Sequence, residues 1–83
     1  MRLDQFLKVS RIIKRRSIAK AICDGNRVMV NDHIAKAAKE VHEGDTIRLS
    51  MDSGILTFQV ISIPNRSISI AEASSLYKVI PET

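Results

Sequence analysis

Two apolar rhythms divide this chain at Gly25. Before it, Leu3, Phe6 and Leu7 recur at i, i+3 and i+4, and Ile18 with Ile22 and Ala19 with Cys23 stand one turn apart. That spacing lines one face of an α-helix. From Arg27 onward the period is two, with Val28 and Val30 alternating with Arg27 and Met29. Alternation of this kind marks a half-buried strand. Helices therefore come first and strands after.

The first helix is expected over about residues 3 to 9. Residues 10–16 form a connection whose Ile12 and Ile13 tuck into the core. Ser17 is a suitable N-cap for the second helix, which should end at Asp24 with Gly25 as the left-handed residue beyond it. Asn31-Asp32 tolerates the positive φ of a hairpin turn. Residues 35–39 have helical propensity, but between two turns they read as irregular strand or loop. Thr46–Leu49 is a strand between the turns at Glu43-Gly44-Asp45 and Asp52-Ser53-Gly54. Ile55–Ile63 is the longest strand candidate and is closed by Pro64. Ser69 and Glu72 fit a capping box that opens a short helix through Ser75, and Tyr77–Ile80 is a last strand before Pro81. At 83 residues, one domain is expected.

Charge follows the same division. Residues 1–27 hold eight basic and two acidic side chains, a net +6, whereas residues 28–83 hold five and seven, a net −2. Within Arg11–Lys20 five of ten residues are basic and none is acidic. Such polarity favours a polyanionic partner at one end of the molecule over an evenly solvated basic surface. Arg15 and Arg16 precede the second helix, whose free N–H groups and positive dipole end would seat a phosphate. The candidate nucleic-acid contacts are Arg11, Lys14, Arg15, Arg16 and Lys20, joined by Arg2 and Lys8 from the first helix. With two Phe, one Tyr and no Trp, aromatic stacking on bases should not dominate.

Catalytic and cofactor signatures are missing. His33 and His42 lie far apart in turn-like regions and read as surface histidines, not zinc ligands. Gly25, Gly44 and Gly54 are isolated turn makers with no phosphate-loop or dinucleotide fingerprint. The lone Cys23 falls on an apolar helix face and reads as a small buried hydrophobe. Asp4 would complement the helix dipole or pair with a neighbouring arginine. No catalytic residue, metal site or cofactor is expected, and the chain is read as non-enzymatic. Apolar runs are too short for a membrane span, and no signal-peptide hydrophobic region opens the chain, so a cytoplasmic location is expected.

Arg2-Leu3-Asp4-Gln5-Phe6-Leu7, Arg16-Ser17-Ile18-Ala19-Lys20, Gly25-Asn26-Arg27-Val28-Met29-Val30-Asn31 and Gly44-Asp45 form an ordered series over residues 1 to about 50. The series resembles the RNA-binding domain of bacterial small-subunit ribosomal protein S-four, the alpha-L motif. The run from Arg2 to Arg16 looks closer still to the stand-alone ribosome quality control branch, the RqcP (YabO) subfamily. The resemblance implies an α+β fold: two packed N-terminal helices on a small, twisted, mostly antiparallel sheet, with a short C-terminal helix and strand. It implies a single domain over 1–83, with the core motif in about 1–50 and a sheet extension in 51–83.

For that subfamily the resemblance further implies binding to large-subunit rRNA and peptidyl-tRNA on obstructed large ribosomal subunits. It also implies support of an RqcH-type factor that adds a C-terminal alanine tail. Arg2 and Arg16 carry this first, supported by Lys8, Arg11, Lys14, Arg15 and Lys20, in a protein expected to be monomeric. Asn31-Asp32-His33 lacks the glycine often found in that hairpin, so a looser turn is expected, with His33 within reach of RNA. The stretch after Arg48 is less basic and is expected to brace the fold. Four other readings stay open: the recycling role of the related heat-shock protein, a general rRNA-binding or assembly module, a detached targeting module of an RNA-modifying enzyme, and a purely structural protein. The heat-shock relative usually carries a longer basic C-terminal extension, whereas this chain stops at Pro81-Glu82-Thr83.

Overall fold

Alternating burial sets the sheet. In the computed structural model, which describes residues 1–66 and 68–81, β1 (Val28–Val30) buries both valines and β3 (Thr46–Met51) buries Ile47 and Leu49. Arg48 and Ser50 of β3 face outward. With β2 (His33–Ile34), β4 (Gly54–Val60) and β5 (Tyr77–Val79), these strands form one antiparallel sheet in the order β2-β1-β3-β4-β5. The helices are α1 (Leu3–Val9), α2 (Arg16–Asp24) and α3 (Ile70–Ala73), the last continued by a 3₁₀ turn over Ser74–Leu76. The expected α+β architecture is present. The Glu82-Thr83 ending lies outside the described residues.

The α1 stripe of Leu3, Phe6 and Leu7 is fully buried, and Phe6 stacks on Phe58 of β4 with ring centroids 6.4 Å apart. Tyr77 meets Phe58 edge-on at 5.5 Å. The few aromatics thus join α1 to the sheet, a geometry that adds to simple area burial. Ile13 is buried and Ile12 packs partly against the core, so the connection is tied down as expected. Residues 35–41 stay irregular with Ala35, Ala37 and Val41 buried; Ala35 and Ala37, two residues apart, could not share one face of a helix. This segment also replaces a side-chain cap on α1: Leu3 N–H donates to the Lys39 carbonyl at 2.8 Å and Asp4 N–H to that of Ala37 at 3.2 Å.

Four local expectations are corrected. Ser17 is not the N-cap of α2; the helix begins at Arg16, with Arg15 in the cap position and no side-chain cap. Packing of Ala19 and Cys23 fixes the helical phase and draws the start earlier, while Ile18 of the other apolar row is 48% exposed. Gly25 is not the left-handed residue either: its φ is −83°, and Asn26 takes φ 64°. Asn26 N–H to Cys23 O (3.1 Å) and Arg27 N–H to Ile22 O (3.3 Å) complete a Schellman closure. A Cβ at Gly25 would sit 3.2 Å from the Ala21 carbonyl, a tight contact that a few tenths of an ångström of movement would relieve. The hairpin is tight without glycine, because Asn31 and Asp32 both adopt positive φ (50° and 68°) and the Asn31 side chain bonds to Asp45 and the Thr46 N–H. Finally, β4 ends at Val60, not Ile63: the N–H groups of Ile61 and Ser62 both turn to the Leu76 carbonyl.

Candidate nucleic-acid interface

The site is built on a buried carboxylate. Asp4, in the first turn of α1, is 1% exposed. Its Oδ1 accepts from the Gln5 backbone N–H at 2.8 Å and from Arg2 Nε at 3.2 Å. Its Oδ2 faces Arg2 at 3.4 Å and Arg16 Nε at 3.5 Å. One carboxylate therefore draws together arginines from the start of each helix, and both keep about half of their side-chain surface in solvent. A charged group this deep costs several kcal/mol to desolvate unless it is paired. Asp4 is paired on both sides, so the arginines are held with their outer donors still available. The starting position of α2 now has a reason: as first helical residue, Arg16 reaches Asp4.

Between the helices, Arg11, Lys14 and Arg15 are exposed and make no ion pair among the described residues. Arg11 follows the end of α1 with φ 64°. That conformation costs a non-glycine residue about 1 kcal/mol. Lys8 is exposed on α1 and lines the same groove as Arg16. Lys20 is the candidate that stands apart, since its Nζ lies 3.0 Å from Asp24 Oδ2. The Asp24 carboxyl is held below its ordinary range, first by the Ala37 backbone N–H and then by Lys20. The structure thus groups Arg2 with Arg16, places Lys8 beside Arg16, sets three cations on the connection, and partly neutralises Lys20.

Two features escaped the sequence reading. The first is the Asp4–Arg16 contact, twelve residues apart and dependent on how α1 meets α2. The second is an open groove of about 540 Å³ that joins Lys8 and Arg16 to Ile63, Pro64, Asn65 and Arg66. Its only sequence signal was Pro64 ending a strand. His33 and His42 are both exposed, as expected, although they share a groove at the β2 edge with Asp45. No group of three possible ligands for a metal ion occurs among the described residues. Burial pushes the Cys23 thiol to about 11, helped by the charges of Asp4 and Asp24, so it is an inert core group. No helix among the described residues is long and apolar enough to cross a membrane.

The S4 domain family pattern matches residues 1–47, the stretch that holds both helices, the Asp4 cluster and the hairpin. Among curated proteins, the RQC P-site tRNA stabilizing factor of Halalkalibacterium halodurans is 43% identical over 95% of this chain and 89% of its own. The protein of the same name in Bacillus subtilis is 39% identical over 99% of this chain and 94% of its own. Among solved structures, the trimeric structure of Vibrio cholerae Heat Shock Protein 15 aligns with a TM-score of 0.87 at 31% identity, over 96% of this chain and 81% of that one. The geometry, the match over the helix pair and the near full-length likeness agree: this chain belongs to the S4 domain family, in the branch of the RQC P-site tRNA stabilizing factors.

Proposed function

We propose that the chain is a non-enzymatic RNA-binding factor of ribosome-associated quality control. It binds structured rRNA and tRNA on obstructed large ribosomal subunits and assists C-terminal alanine tailing of the stalled chain. Its partners in this reading are large-subunit rRNA, peptidyl-tRNA and an RqcH-type tailing factor, and it acts as a cytoplasmic monomer. The observation that carries the reading is the pair Arg2 and Arg16, fixed on a buried Asp4 with half of each side chain exposed. Two preoriented guanidinium groups are suited to phosphates at a set spacing, which is how a protein reads RNA shape when base edges are hidden.

Arg11, Lys14, Arg15 and Lys8 supply further phosphate contacts around that pair, with Lys20 at the margin. The first turn of α2 has two arginines beside it, no acidic residue and no side-chain cap. That arrangement opposes the helix dipole, and an incoming phosphate would relieve it. These contacts position the protein and do not read sequence.

A second reading, recycling of free large subunits carrying peptidyl-tRNA, is supported by the likeness to Heat Shock Protein 15. Affinity isolation in mild salt, followed by imaging of the bound particle, tests the main reading. Large subunits bearing peptidyl-tRNA are expected, and alanine tails on stalled chains should be lost when the gene is deleted. Tails that persist undiminished favour the recycling reading. A particle without RNA contradicts both.

A further inference from the structure

Past Val60 the chain leaves β4 and reaches α1. The turn is imposed by the Leu76 carbonyl, which accepts from both Ile61 and Ser62. The result is the groove lined by Lys8 and Val9 of α1, Arg16 of α2, and Ile63, Pro64 and Arg66. Three cationic side chains from three separate segments meet there, and no acidic side chain lines it among the described residues. Asp4 and Glu72 stand behind two of the cations, with Arg16 Nε 3.5 Å from Asp4 and Arg66 3.6 Å from Glu72. The Arg66 side chain remains 70% exposed.

Resting on the RNA-binding reading, we infer that this groove holds one unpaired nucleotide of the bound RNA, with Arg66 as a contact from outside the S4 domain match. Size is the first reason. About 540 Å³ lies within the range of a small-ligand site, whereas a duplex is too broad to enter and can only lie across the rim. Composition is the second. Lys8 and Arg16 give a phosphate its counter-charge, and Val9, Ile63 and Pro64 give a ribose and base apolar surface. Among the described residues no aromatic side chain lines the groove, so stacking falls to a guanidinium plane, a recurring platform for splayed-out bases. Arg16 belongs to both arrangements: with Arg2 on Asp4 it holds the backbone of a folded RNA, and at the groove it joins Lys8 and Arg66 in selecting an RNA with a base out of the helix.

The test compares a blunt RNA hairpin with the same hairpin carrying one bulged nucleotide, using the full chain and fluorescence anisotropy. The wild type should prefer the bulged RNA by about tenfold, within what one stacked base contributes. Arg66→Ala should abolish most of that preference, change blunt-hairpin affinity less than about twofold, and leave the melting temperature unchanged because Arg66 is a surface residue. Arg66→Glu should go further in the same direction. Equal binding of the two RNAs by the wild type overturns the groove and leaves the RNA-binding reading intact. Equal weakening of both RNAs by Arg66→Ala also overturns it, since Arg66 would then act only through the general basic field. If neither RNA binds and an acidic peptide does, both the groove and the RNA-binding reading fail.

Discussion

Arg2 and Arg16 differ from their neighbours Arg11, Lys14 and Arg15 in one respect. The first two rest on a buried carboxylate, while the other three stand on the helix connection with no ion pair among the described residues. All five carry the same charge and all five are exposed. An unanchored cation attracts a polyanion at long range but loses rotamer entropy when it makes a contact. A preoriented one has already lost part of that freedom, so more of its contact appears as affinity and as geometric selection. In the RNA-binding function proposed for this chain, the pair on Asp4 would recognise shape and the connection would supply attraction.

The largest effect should come from removing both anchored arginines. Replacing Arg2 and Arg16 together by Ala is expected to weaken binding to large-subunit RNA by about a hundredfold, roughly tenfold for each charge-assisted contact. The salt dependence should fall by about two contacts. A loss no greater than that of two connection cations would erase the distinction between the groups.

Arg11 offers a smaller and sharper test. Its φ of 64° suits glycine better than arginine. Arg11→Gly should leave the fold as stable or up to about 1 kcal/mol more stable, while RNA affinity drops by about threefold and the salt slope by about one contact. A destabilised variant with full affinity would show that Arg11 is structural.

The smallest effect concerns Lys20, the candidate drawn away by Asp24. The Asp24 carboxyl is held below its ordinary 3.8 in the folded chain by the Ala37 N–H and Lys20. Its unfolded form therefore binds protons first as pH falls. The contribution to stability is complete above the unfolded value and disappears as pH drops through the folded one. Thermal melts between neutral pH and about 3 should show a shallower acid loss for Asp24→Asn than for the wild type. Identical acid profiles would remove Asp24 from the account.

Much of this was legible in the sequence for a physical reason. Periodicity follows from which side chains must be buried, so α1 and β1 could be read in one dimension, while residues 35–39 were read as irregular from the turns that flank them. What could not be read depends on contacts between distant segments. Ser17 is a better cap than Arg15 by residue preference, yet the packing of Ala19 and Cys23 decided where α2 begins. Gly25 was recognised as a terminator, but it keeps φ −83° and Asn26 supplies the positive φ. The basic corner was visible as composition. Its internal order was not, because Asp4 touches Arg16 only after the two helices meet. The groove at Arg66 was hidden by the apparent continuity of β4 through Ile63, broken in the structure by the Leu76 carbonyl.

Asp4→Asn tests the central claim most directly. The substitution keeps the shape of the side chain and raises the net charge of the chain from +4 by one. If only the basic field mattered, RNA affinity would rise. Anchoring predicts the reverse: loss of the carboxylate frees Arg2 and Arg16, lowers stability by about 1–2 kcal/mol, and weakens RNA binding by about fivefold. Measured by anisotropy at fixed salt on folded protein, a weaker complex bears out the anchored pair. An equal or tighter complex contradicts it.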